Sequence, residues 1–287
     1  MASVTDTWRD VHAIGWKLHP VLFLLTLALA VPVAAQDVKP FEPVVGQAGK
    51  DVVWVPTPEV MVDLMLDMAQ VTADDMVVDL GSGDGRMVIA AARRGARARG
   101  VEFNPDMVAL SRRRAYEAGV QQRATFVEGD MYEADISDAS VMALFLLTEN
   151  MRRLQPKFLQ LRPGTRIVSN TFAMPEWPAD DRRTRQDCTA WCTALLWIVP
   201  AQVGGQWRLD DGMRLRLDQH FQKVSGELTG AAGGSTLQGG TVTGAAIAFT
   251  IGDASYIGTV DGATITGTRT AGGQQTAWRA TRASSAP

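Results

Sequence analysis

The residues best suited to chemistry run from Val77 to Arg86: Val77-Val78-Asp79-Leu80-Gly81-Ser82-Gly83-Asp84-Gly85-Arg86. An apolar run, a glycine turn and an Ala-rich stretch follow one another, which reads as strand, turn and helix start. A dinucleotide site would need G-x-G-x-x-G, its third glycine packing helix against strand beside the pyrophosphate. Here that slot holds Arg86, the third glycine is Gly85, and Asp79 stands two residues ahead of Gly81. A carboxylate beside the turn repels a pyrophosphate and attracts a cation. The loop is built for a ligand other than NAD.

The elements around this loop follow from periodicity. From Val52 to about Val203, short β-branched runs alternate with longer amphipathic stretches, the mark of βαβ units and a parallel sheet. Thr57 is expected as N-cap and Pro58 as first residue of a helix carrying Val60, Met61, Leu64, Met65 and Met68 on one face. Strands are expected at 76–80, 98–102, 124–128, 141–147, 166–170 and 195–199, with helices at 86–94 and from Pro105, and another ending at Arg162-Pro163-Gly164. After Pro200 the composition shifts to Gly, Thr and alternating apolar residues, which predicts an all-β meander or barrel. Gly239-Gly240, Asp261-Gly262 and Gly272-Gly273 are its expected hairpin turns. The segments 240–247 and 258–265 are self-similar, as repeated hairpins would be. His220 and Tyr256 are expected as an edge residue and a packed aromatic.

Composition excludes several classes. With 46% hydrophobic and 21% charged residues, the 287-residue chain is ordinary globular protein, long enough for two domains. A net charge of -3 gives no positive field for a polyanion, so nucleic acid is not an expected partner. The arginine groups 112–114 and 182–185 are expected as solvated faces. Two cysteines, Cys188 and Cys192, and three scattered histidines make no metal site, and no metal is expected. Four apart, the cysteines could bridge in a turn but not along an extended strand.

Residues 1–35 are expected to be a signal peptide or membrane anchor, and 36–51 a linker. The uncharged run 21–35 is shorter than the roughly 20 residues that span a bilayer comfortably, and Val33-Ala34-Ala35 suits cleavage before Gln36. This predicts a periplasmic or otherwise exported protein, or one held at the membrane through residues 21–35, facing the cytoplasm if anchored with its N-terminus out.

At the glycine loop the chain resembles the class I S-adenosylmethionine-dependent methyltransferases, whose first motif is an acid followed by G-x-G-x-G. The resemblance covers about Val52 to Val199 and implies a Rossmann-like α/β sheet with helices on both faces. It makes 52–203 the methyltransferase domain and leaves 204–287 as a β domain of unassigned role. It implies S-adenosylmethionine as cofactor, with Asp79 and the backbone of Gly81 and Gly83 holding its methionine portion, Asp84 close by, and Ser82, Gly85 and Asn104 also among the cofactor-binding residues. Glu102, ending the next strand, would bind the ribose hydroxyls, while Asp130 and Met131 would take the adenine. The pieces Val53-Trp54-Val55-Pro56-Thr57-Pro58, Gly119-Val120 and 172–178 resemble a group of lysine methyltransferases that includes the mitochondrial enzyme acting on the c-ring protein of ATP synthase. Thr57 would there sit at a helix N-terminus facing the donor carboxylate. The reaction implied is in-line displacement by a neutral lysine amine of a protein substrate, one class of which is membrane proteins. Trp54, Phe172 and Trp177 would wall a desolvating channel, and Glu149 and Asn150 would orient the amine. The chain lacks the NPPY-like motif common in amine methyltransferases at this place. An export signal and a cytoplasmic donor conflict, so two other readings stand: an exported binding or scaffold protein on this fold, and a small-molecule methyltransferase.

Overall fold

The computed structural model describes residues 41–230 and 233–283. The expected signal or anchor, residues 1–35, lies outside them. The described residues belong to one compact unit.

Its first part is a seven-stranded sheet between helices. In chain order come α1 (Glu59–Met68), β1 (Met76–Leu80), α2 (Arg86–Arg93), β2 (Arg97–Glu102), α3 (Pro105–Glu117), β3 (Ala124–Glu128), β4 (Val141–Leu144), α4 (Thr148–Phe158), β5 (Arg166–Asn170), β6 (Asp181–Thr184) and β7 (Thr193–Ile198). The strand order is β3-β2-β1-β4-β5-β7-β6, parallel from β3 to β5 and antiparallel over the last two. One apolar layer joins α1, α2 and α3 to the sheet through residues such as Met65, Val88 and Val108. The other packs Leu144, Met151, Leu154 and Phe158 over the opposite face.

Three local readings change. Pro58 rather than Thr57 is the N-cap of α1, because its ψ of 139° is extended and helical angles begin at Glu59. β4 stops at Leu144 and α4 at Phe158, both short of their expected ends. The strand β6 was not expected, since Asp181-Arg182-Arg183-Thr184 has no apolar alternation. Its charges suit an edge strand, where they discourage pairing with another chain.

Eight further strands, β8 (Gly205–Leu209), β9 (Arg214–His220), β10 (Lys223–Gly230), β11 (Gly233–Thr243), β12 (Ala246–Ile251), β13 (Ala254–Asp261), β14 (Thr264–Ala271) and β15 (Gln274–Arg282), close into an antiparallel barrel. Alternate side chains such as Leu215, Leu217, Val242, Ile247 and Ile265 fill its core. Asp261-Gly262 and Gly272-Gly273 are hairpin turns as expected. Gly239-Gly240 instead sits inside β11, where the register shifts between Gln238 and Thr241, so it marks a bulge. The barrel is fixed to the sheet part: Phe221 stacks on Trp177 at 5.7 Å, and Gln222 Nε2 donates to the Pro178 carbonyl at 2.7 Å. Among the described residues no helix is long and apolar enough to cross a membrane.

Candidate active site

Strand order reverses at β1, which has β2 on one side and β4 on the other. Crevices in open α/β sheets form at the C-terminal ends of strands at such a point. Two cleft lobes open there and share Trp54, Val55, Gly81 and Phe145. The inner lobe reaches Thr57, Asp79 and the glycine loop, and the outer one Glu102, Asn104, Asp130 and Met131.

The loop is clamped from behind. Gly85 has φ +80°, and a Cβ there would lie 2.8 Å from the Phe126 ring and from Ser111 Cβ. A Cβ on Gly83 would meet the Trp54 indole at 2.7 Å. The amides of Gly81 and Ser82 donate to the Val101 carbonyl at 2.8 and 3.1 Å, that of Gly83 to Glu102 Oε2 at 2.9 Å, and that of Gly85 to the Ser82 carbonyl at 2.9 Å. The Gly83 carbonyl accepts from Ser111 Oγ at 2.9 Å. Of the Gly81 and Gly83 backbone expected around the donor, the amides are already engaged within the protein. The Ser82 hydroxyl also points away from the cleft: it is buried under the loop, against the position a Gly100 Cβ would take.

Asp79 is the unusual group. It is 6% exposed, and among the described residues its carboxylate makes no hydrogen bond or ion pair. Burial raises its pKa well above the usual carboxylate range, and the charges of Glu102 and Asp84 add to the rise. Asp84 behaves oppositely. Burial pushes it up, yet bonds from Arg86 at 2.7 Å and the charge of Arg114 at 2.5 Å outweigh that and hold its pKa below normal. Asp84 is thus a structural clamp rather than a ligand group. Arg114, expected on a solvated face, turns inward to it, and Arg86 Nη1 also donates to the Thr57 carbonyl at 2.9 Å.

Glu102 receives one amide on each oxygen, Gly83 at 2.9 Å and Asn104 at 2.9 Å. The Asn104 side-chain oxygen caps α3 by accepting from the Asp106 amide at 2.9 Å, so that oxygen is already engaged. Asp130 accepts the Tyr132 amide at 2.9 Å and an ion pair from Lys50, whose ammonium lies 4.9 Å from the Phe103 ring centre. That Lys50 hydrogen bond holds the Asp130 pKa down. Met131 is buried beside it.

The three expected catalytic residues lie outside the cleft. Glu149 is exposed and paired with Arg152 at 2.5 Å, which lowers its pKa. Asn150 is buried and donates to the Tyr132 hydroxyl at 2.7 Å. Trp177 is 0% exposed, in the core between sheet and barrel, so it walls no channel. A different aromatic group stands where an acceptor can approach. Phe145 follows β4, Phe172 follows β5, and Trp191 comes from the β6–β7 turn; their ring centres are 5.5 to 6.0 Å apart. Trp191 is 42% exposed and adjoins a disulfide between Cys188 and Cys192. Phe145 and Trp191 escaped the sequence reading. The end of one apolar run and a tryptophan beside a cysteine were the only traces of them. Among the described residues no cluster of potential metal ligands occurs.

A cleft at the switch point, an unpaired acid and a G-x-G-x-G turn define a class I methyltransferase site, and comparison with known proteins agrees. Residues 79–181 match the family model of the ANTKMT methyltransferase domain. The chain is 40% identical over 149 residues to a protein-lysine N-methyltransferase of Saccharolobus islandicus, covering 51% of this chain and 92% of that protein. It is 39% identical over 116 residues to the mouse (Mus musculus) lysine N-methyltransferase named for the c-ring protein of ATP synthase, covering 40% of this chain and 47% of that protein. An RNA methyltransferase from Salinibacter ruber, solved with S-adenosyl-L-homocysteine, aligns over 52% of this chain and 96% of its own with 44% identity and a TM-score of 0.50. The chain belongs to the protein-lysine N-methyltransferase family. The barrel lies outside the matched residues 79–181.

Proposed function

We propose that this chain methylates lysine side chains of a protein, with S-adenosylmethionine as methyl donor. The observation that carries the reading is the buried Asp79 carboxylate, without a hydrogen-bond or ion-pair partner among the described residues, opening on the glycine loop. Such a group is costly unless a cation completes it, and the donor carries a sulfonium and an ammonium. The other residues fit as well. Each Glu102 oxygen keeps a lone pair for a ribose hydroxyl, Met131 offers an apolar edge to a base, and Asp130 would share its carboxylate between Lys50 and the adenine amino group. Bound there, the donor supplies an electrophilic methyl group.

The remaining task belongs to the acceptor side. A lysine must lose its proton to attack, and an apolar surround that excludes water lowers an ammonium pKa. Phe145, Phe172 and Trp191 supply that surround and orient the amine. Relatives are named for membrane-protein acceptors, which supports a membrane-protein lysine as substrate. The apolar run 21–35 supports a membrane-held or exported enzyme. The disulfide also favours a site outside the reducing cytosol.

The test is transfer of a labelled methyl group by the full chain to poly-L-lysine, the isolated c-ring protein of ATP synthase and total RNA in parallel. Methyl-lysine recovered after acid hydrolysis is the expected product. Label in nucleosides alone would overturn the protein-acceptor reading, and failure to bind S-adenosylmethionine in calorimetry would overturn the donor as well.

A further inference from the structure

The barrel has two unlike ends. At one, the β9–β10 and β11–β12 turns meet the sheet part, where Phe221 stacks on Trp177 and the Gly244 carbonyl accepts the Ala201 amide at 2.8 Å. At the other, the β8–β9 and β12–β13 turns border a bowl of about 760 Å³, lined among the described residues by residues of the barrel. An eight-stranded barrel either fills its interior with side chains or holds one small ligand.

This end is only partly filled. Phe249 and Tyr256 stack at 4.9 Å, and Trp278 meets Tyr256 edge-on at 5.5 Å, making an aromatic floor. Two arginines line the bowl, Arg269 and Arg279, and only Arg269 stands over this floor. Strand alternation puts Arg269 on the inner face with Ile265 and Gly267, in register with Tyr256. Its Nε donates to the Tyr256 hydroxyl at 3.1 Å. Among the described residues its other guanidinium nitrogens have no hydrogen-bond or ion-pair partner. An inward guanidinium with spare donors matches a carboxylate, which it can grip with two parallel bonds. The rim turns carry Asp210, Asp211 and Asp253. Those charges disfavour a polyanion.

We propose that the distal bowl binds a small amphiphilic carboxylate, its acid group on Arg269 and its apolar body on Tyr256 and Trp278. The site is separate from the methyl-donor cleft and independent of the acceptor assigned above.

Calorimetry on the full chain with decanoate, decanol and decyltrimethylammonium tests this. Decanoate is expected to bind about tenfold more tightly than decanol, as for one charge-assisted pair. Arg269→Gln should erase that preference and Arg269→Lys should keep part of it, while S-adenosylmethionine binding stays unchanged in both. Near-UV circular dichroism confirms the barrel in each variant. Equal affinity for acid and alcohol, tighter binding of the cation, a preference that survives Arg269→Gln, or no binding of decanoate by the folded chain would each overturn the proposal.

Discussion

Replacing Asp79 by Asn should make the ligand-free protein more stable and the donor site weaker, two effects of one buried charge. Asp79 is 6% exposed, has no hydrogen-bond or ion-pair partner among the described residues, and feels the charges of Glu102 and Asp84. Leaving such a group unpaired costs on the order of 1–3 kcal/mol. For a chain of this size each kcal/mol is worth about 2–4 °C, so Asp79→Asn should raise the melting temperature by roughly 2–12 °C at a pH where Asp79 is ionised. Its sign with pH is fixed. A folded-state pKa above the unfolded one means that the wild type loses stability as pH rises between the two, so the advantage of Asn grows through that interval and vanishes below it. Donor affinity moves the other way: one charge-assisted bond lost weakens it by about ten- to a hundredfold. Where Asp79 is still protonated in the donor-free protein, donor binding should release a proton, read as a dependence of calorimetric heat on buffer ionisation enthalpy. Scanning calorimetry without donor and titration with it measure both effects. A variant less stable than wild type, or one binding S-adenosylmethionine within threefold of it, would refute the reasoning.

Further outcomes follow from the same geometry. Gly85→Ala must strain a backbone at φ +80° and press a methyl into Phe126 and Ser111, for a loss of about 2–4 kcal/mol in denaturant unfolding. Trp177→Ala should cost about 3–5 kcal/mol by emptying the core between sheet and barrel, while the folded fraction still binds donor normally; donor binding lost at full folding would return Trp177 to the cleft. The Cys188→Ser, Cys192→Ser double variant should keep donor affinity and raise the acceptor KM, because it frees the turn that holds Trp191 on Phe145 and Phe172. An unchanged KM would remove Trp191 from the acceptor wall.

Much of the sheet was legible because its signals are local. The β1 strand, the turn from Gly81 to Gly85 and the start of α3 at Pro105 are each decided by neighbours within a few residues. Two features were not legible for the same reason. A strand such as β6 has no pattern of its own and exists because β7 offers it an edge. Gly239-Gly240 looks like any hairpin turn until the partner strands impose a bulge.

The division at the site follows this line. The sequence by itself determined that an acid precedes a G-x-G-x-G turn, and so that a cation rather than a pyrophosphate belongs there; charge and φ are properties of the residues in place. Only the tertiary structure decided which groups are available. It tied Asp84 to Arg86 and Arg114, engaged the turn amides with Val101 and Glu102, and left Asp79 alone. It also sent Trp177 into the core and brought Trp191 to Phe145. Residue type fixes what a side chain can do, but partners far along the chain settle whether it is already doing it.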